Sequence, residues 1–328
     1  MRFTSAFWIP LIPAVFAASI VGRHSSPDIT TARIGQLPKG SWAEGLAVRS
    51  NGQLLVTLVT DAPEIHQIDP FTNKTQLIDK LPIAGGLLGI TEIQHDVFAI
   101  VAGNISQSGS FSMWKLDMKK NPPKSTKIAD IKPGVLLNGV TSLNKNGSAI
   151  LVADSGAGVV YRVDTETGDY AVVIDDPTMK IAPNSTLQVG INGLHIREKD
   201  LYYTSSTQGL FVRMRIHPDG TPAGAAKVIA HNGQVNDDFT FDRAGNYAYV
   251  ATNSDNMVQR ITPGGHVTVV AGKPDSKVVA GATAVEFGRT RADKSVLYVT
   301  TDGKFTNAAG KTIIGTGGVV AIYGIRWQ

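Results

Sequence analysis

Glu44, Asn138, Asn192 and Asp237 hold the same place in four copies of a short recurring segment: EGLAV, NGVTS, NGLHI and DDFTF. Leu88 in LGITE and Thr283 in TAVEF hold that place in the other two copies. Residues at one repeated position face one another when repeats close into a ring. Two carboxylates and two amides converging on one axis would repel or stay unsatisfied, and a hard divalent cation resolves both problems. A donor set made only of oxygen selects calcium, magnesium or manganese over zinc or copper. Any one of these residues alone could simply hydrogen-bond a turn backbone. Four in register point instead to a metal site of Glu44, Asn138, Asn192 and Asp237.

Other chemistry is largely excluded. With no cysteine in 328 residues, disulfides, zinc-thiolate sites, iron–sulfur clusters and cysteine nucleophiles drop out. No GxSxG elbow, HExxH helix or P-loop occurs, and no organic cofactor is expected. None of the seven histidines is paired at helical metal spacing. His195 and His231 could approach the axis, but a satisfied surface or strand role is the plainer expectation for each. Trp42 and Phe239 are expected to wall a pocket together with Leu88, Leu136 and Thr283. Trp114 and Phe111 read as core.

The elements that must position these residues follow from the repeat. The six starts are spaced 44, 50, 54, 45 and 46 residues apart. After each comes a second strand (QLLVTL, DVFAIVA, SAILVAD, DLYYTSS, YAYVATN, VLYVTTD), then a third (EIHQID, SMWKLD, VVYRVD, FVRMRI, MVQRIT, VVAIYG). Copies one to five end in a fourth: KTQLID, TKIADI, YAVVID, AKVIAH and HVTVVA. Turn residues separate them, as at Asn146-Gly147 and Pro263-Gly264-Gly265. Four antiparallel strands at a period of about 40–55 residues are the signature of a β-propeller. Six copies predict an all-β, six-bladed β-propeller. The sixth copy lacks a fourth strand, which TTARIGQL (30–37) could supply by pairing the two ends of the chain and so covering an open edge. Gly315-Thr316-Gly317-Gly318 reads as the turn before the last strand.

Residues 1–22 combine one Arg, an apolar run from Ala6 to Ala18 and small residues toward Gly22. They read as a secretory signal peptide, the run being shorter than the roughly 20 residues needed to span a bilayer. The remainder, 23–328, is expected to be a single propeller domain with no membrane span, secreted or in the lumen of the secretory pathway. Sequons at Asn73, Asn104, Asn146 and Asn184 suit glycosylation on that route. The net charge is only +4, with basic residues scattered, so no nucleic-acid partner is expected.

AEGL, LNGV, INGL and NDDF carry a resemblance to the senescence-marker-protein and gluconolactonase family of six-bladed propellers. That resemblance implies one divalent cation at the channel mouth, held by Glu44, Asn138, Asn192 and Asp237, with Asp237 also the presumed base. Asp238, adjacent to it, is the alternative in register. Sugar-lactone members carry an Arg where this chain has Leu136, beside Leu137, and Leu88 adds a further apolar group. These departures imply a less polar substrate.

A secreted fungal branch of the same superfamily is closer, resembled through WAEGLAVRSNGQLLVT, LLGITEIQHDVFAIVAGN, LVADSGAGVVYRVD, NDDFTFDRAGNYAYVATN and FGRTRADKSVLYVTTDG. It includes hetero-Diels-Alderases that join an ortho-quinone methide to a macrocyclic terpene alkene. Three functions therefore compete. The first is such a pericyclase, holding small apolar or aromatic partners in reactive orientation. The second is a metal-dependent lactonase or esterase in which Asp237 or Asp238 acts as general base. The third is a non-enzymatic ligand-binding propeller. The apolar residues at Leu88, Leu136 and Leu137 and the fungal-branch resemblance favour the first.

Overall fold

The computed structural model describes residues 28–59, 62–307 and 310–325; the expected signal peptide lies outside them. Among the described residues, six four-stranded antiparallel sheets each form a blade, and one two-stranded hairpin lies outside them. Their inner strands are Ala43–Val48, Gly86–Gln94, Leu137–Ser142, Ile191–Arg197, Asn236–Phe241 and Ala282–Phe287, in blades one to six. Each inner strand contacts those of the two neighbouring blades, and the first contacts the sixth, so the blades form a closed ring. Blades one to five run through four consecutive strands, as the repeats predict. Blade six is completed by Thr30–Ile34, which pairs antiparallel with Gly318–Tyr323 from Thr30↔Tyr323 to Ile34↔Val319. The predicted closure by an N-terminal strand is the one observed.

Burial follows strand order. The second strand of blade one, Leu54–Leu58, is buried throughout, whereas the fourth, Lys74–Lys80, is buried nowhere along its length. The buried apolar side chains form six clusters, one at each blade-to-blade interface. A strand between two interfaces can therefore be apolar on both faces, which is why the second strands read as near-continuous hydrophobic runs. The third strands of blades one to three end in an Asp that closes the next turn: Asp164 Oδ1 accepts the N–H groups of Glu166 and Thr167, both at 2.9 Å.

Two features fall outside the repeat. A 15-residue connection (176–190) with one short 3-10 turn, Pro177–Met179, joins blades three and four. A hairpin, Lys304–Thr306 with Thr312–Ile314, is inserted between the second and third strands of blade six. Among the described residues no helix is long and apolar enough to cross a membrane.

Candidate active site

Every inner strand is bulged at the repeated position. Pairing with the second strand skips from Ala43 to Leu46, Leu87 to Ile90, Leu137 to Val140, Ile191 to Leu194, Asn236 to Phe239 and Ala282 to Val285. Two residues per blade are left out of the ladder, and the first is Glu44, Leu88, Asn138, Asn192, Asp237 or Thr283. A bulge re-aims a side chain that the pleat would otherwise send into a blade interface. Threonines on the second strands stitch this layer together. Thr57 receives the Gly45 N–H at 2.9 Å and donates to the Leu88 carbonyl of the next blade at 2.5 Å. Thr204 does the same between Gly193 and Asp237, and Thr300 between Ala284 and Glu44.

The loops leading into the bulges are pinned as well. Asp154, fully buried, accepts the Val135 and Leu136 N–H groups, both at 2.9 Å, and those of Gly156 and Ala157. Asp255 Oδ2 accepts the Val235 N–H at 2.8 Å. Leu136 and Val235 are thus held beside Asn138 and Asp237 by buried or half-buried carboxylates.

Glu44, Asn138, Asn192 and Asp237 line one cavity of about 290 Å³. Trp42, Leu88 and Leu136 contribute to its wall, with Val59, Val189 and Val235. Ile105 and Leu187, each 41% exposed, stand at its rim. Trp42 Nε1 donates to Glu44 Oε2 at 2.6 Å, and Asn192 Nδ2 donates to Ser206 Oγ at 3.1 Å. Burial pushes the Glu44 carboxyl up to about 8, against the Trp42 hydrogen bond and with help from Asp302 and Asp238. Asp237 is raised well above the usual carboxylate range by burial and then by Glu44. With Glu44 pushed up to about 8 and Asp237 raised by burial beside it, the pair retains a proton at neutral pH, unless a cation takes its place.

Among the described residues no Lys or Arg lines this cavity. The donor set is all oxygen, and Asn192, whose amide nitrogen is engaged by Ser206, has its oxygen as the atom left for a ligand. These residues fit a hard divalent cation in charge and donor type. Among the described residues no three His, Cys, Asp or Glu side chains group as a metal site, so the amides of Asn138 and Asn192 would have to serve beside the two carboxylates.

Three expected residues lie elsewhere. Phe239 is fully buried between blades four and five, in edge contact with Phe211 and His195 at 4.9 and 4.8 Å. It follows the bulge and so points into the interface. Thr283 is at the ring position, but its hydroxyl donates to the Ala43 carbonyl at 2.8 Å and it does not line the cavity. Asp238 is turned away from Asp237, 3.3 Å from His195 Nε2. With Glu286 and Arg289 it lines a separate cavity of about 170 Å³ farther along the inner strands. Asp237, not Asp238, shares the cavity with Glu44. His231 is an exposed strand residue, while Leu137, Phe111 and Trp114 are buried core.

Ser206 and Asn253 also line the cavity, and Asp302 lies close enough to raise Glu44. They form a second tier above the ring. The signal was in the repeat: second strands of copies four to six run into Ser205-Ser206, Thr252-Asn253 and Thr301-Asp302, where copy one has Leu58-Val59.

The architecture and its axial cavity define a six-bladed β-propeller. A luciferin-regenerating enzyme superposes with TM-score 0.66 at 15% identity, over 91% of this chain and 96% of that one. Regucalcin, a calcium-binding protein from Agrobacterium tumefaciens, gives 0.62 at 17% identity, over 89% and 93%. In sequence the chain is 29% identical over 298 residues to a protein provisionally named a hetero-Diels-Alderase from a Phoma species, covering 81% of this chain and 84% of that one. A protein with the same provisional name from Sarocladium schorii is 28% identical over 349 aligned positions, covering 94% and 86%. No protein-family model matches the chain. The chain is thus similar to hetero-Diels-Alderases in sequence and to regucalcin-like propellers in fold, the two likenesses drawn from its motifs.

Proposed function

We propose that the cavity is the active site of a hetero-Diels-Alderase-like enzyme joining a tropolone or polyketide quinone methide to a terpene alkene. The observation that carries this reading is an apolar wall of Trp42, Leu88, Leu136 and Val235 around two buried carboxyls, Glu44 and Asp237, both raised by burial. The reaction forms one C–O and one C–C bond from the alkene π pair and the four-atom O=C–C=C unit. No proton, electron or leaving group is transferred. The protein therefore needs to hold two partners together and draw density from the quinone-methide oxygen. A protonated Glu44 or Asp237 offers the O–H donor for that oxygen. About 290 Å³ lies at the lower end for a small-molecule site, so one partner fills the cavity while the other packs against the rim at Ile105 and Leu187.

Glu44, Asn138, Asn192 and Asp237 would hold a divalent cation of the calcium, magnesium or manganese type, which would supply Lewis acidity toward a carbonyl oxygen. That same quartet supports the second reading, a lactonase or esterase with Asp237 as base. A secretory route is part of the proposal, with a signal over 1–22 and one domain over 23–328. Of the sequon residues, Asn73, Asn146 and Asn184 are exposed and suited to glycosylation; Asn104 is half-buried, its Oδ1 accepting the Ser106 N–H at 2.9 Å.

The test is to generate a tropolone quinone methide in the presence of purified protein and humulene, then resolve the adduct by chiral chromatography. One enantiomer in at least tenfold excess over the buffer reaction is expected. A racemic adduct formed at the buffer rate overturns the reading. EDTA-sensitive lactone hydrolysis in the same preparation, lost in Asp237→Asn, would establish the second reading instead.

A further inference from the structure

The hairpin of blade six is foreign to the repeat, and its first residue turns back over the site. Lys304 Nζ lies 3.7 Å from the centroid of the Trp42 ring and 3.6 Å from Asp302 Oδ2. Its backbone N–H donates to Asp302 Oδ1 at 2.7 Å, so the hairpin base is tied to a carboxylate that is itself only 4% exposed. Trp42 in turn holds Glu44 Oε2 through its indole N–H at 2.6 Å, and both residues line the cavity. Ammonium, indole and carboxyl form one chain running from the hairpin to the ring. The ammonium covers one face of the indole, and the ring cannot tilt without losing both the cation–π contact and the hydrogen bond to Glu44.

We propose that Lys304 is a positioning residue of this site. It clamps Trp42 from behind, so that the face of the indole toward the cavity is a fixed plane on which a flat conjugated ketone stacks. Glu44 is thereby kept aimed at the oxygen of that partner. The chemical class of the partner rests on the cycloaddition reading; the clamp rests on geometry alone. Lysine is suited to the role because its stem packs flat while its compact charge sits on the ring. Methionine of similar length would keep the packing and lose the charge, whereas arginine would keep the charge.

The experiment uses the mature protein with tropolone as the planar probe, following tryptophan fluorescence. Saturable quenching is expected in wild type and should be lost in Trp42→Phe. Lys304→Met is expected to weaken probe binding by about three- to tenfold, and Lys304→Arg to restore most of it, with unfolding temperatures of both near wild type. In turnover, Lys304→Met should raise KM, lower enantiomeric excess, and lower kcat by less than it lowers kcat/KM. Wild-type binding and selectivity in Lys304→Met would overturn the proposal. So would an arginine variant as defective as the methionine one, or wild-type quenching that is absent or survives Trp42→Phe. Quenching that follows the expected pattern in a protein that catalyses no cycloaddition would uphold the clamp and refute the reaction.

Discussion

Asp237 and Asp238 are adjacent in sequence and serve different cavities. The bulge turns Asp237 toward Glu44, while Asp238 takes the place held by glycine in blades one to four and reaches His195 at 3.3 Å. Beside it, Glu286 accepts the Thr240 hydroxyl at 3.0 Å and lines the lower cavity. Burial pushes Glu286 up to about 7 against the pull of His195, with Asp238 adding to the rise and Arg289, itself paired with Glu92, opposing it. His195 is lowered by burial, but its bond to Asp238 outweighs this and raises it. Both groups bind protons more tightly in the folded protein than in the unfolded chain. Glu286 does so between its ordinary 4.5 and about 7, and the His195 contribution is lost as pH rises through its own elevated value. Stability should therefore fall as pH climbs through this window. Glu286→Gln is expected to flatten that fall by on the order of 1–3 kcal/mol, allowing for partial exposure. Urea unfolding at about pH 5 and pH 8 measures it; equal losses in wild type and variant would show that Glu286 does not titrate as argued.

At the scale of the strand, the bulge and its glycine work together. A Cβ at Gly89 would lie 2.5 Å from the Asn138 carbonyl oxygen and 3.1 Å from Gly139 Cα, both backbone atoms of the next blade. Neither can move without shifting Asn138. Gly89→Ala is expected to cost about 1–3 kcal/mol, a fall in unfolding temperature of a few degrees, together with a larger loss of activity than the stability change explains. An alanine variant that melts and turns over like wild type would show that blade two can slide outward freely. The ring position and its following glycine were legible because they recur as EG, LG, NG and NG. Facing was not legible after the bulge: Phe239 comes two residues after Asp237 and would share its side in a regular strand, yet it packs into the neighbouring interface. Thr283 looked available for the same reason, before its partners Ala43 and Thr300 were visible. Ile105 and Leu187 come from unique loops and Lys304 from the inserted hairpin, where no period marks a position.

The whole molecule is held by its closure. With no cysteine to staple the ends, one five-residue strand does that work, and four of its five residues are exposed. Its hold comes from the backbone ladder, from Ile34 at 4% exposure, and from Arg33, whose Nη2 donates to the Thr316 and Gly317 carbonyls at 2.7 and 2.6 Å. The strand it covers, Gly318–Tyr323, reads GVVAIY, and Val319 and Ile322 are fully buried. Removing the cover would leave an uncharged, β-branched edge of the kind that pairs with other chains. Because Gly317 N–H also donates to Ser41 at 2.7 Å and Thr300 to the Glu44 carbonyl at 2.8 Å, loosening blade six would also loosen Trp42 and Glu44. A chain beginning at residue 36 is thus expected to unfold at least several degrees lower, to associate at micromolar concentration, and to lose probe binding at the cavity. Size-exclusion chromatography and a thermal scan against the chain beginning at residue 23 check this. A monomeric truncated protein with unchanged unfolding temperature would mean that the six interfaces close the ring without the strand.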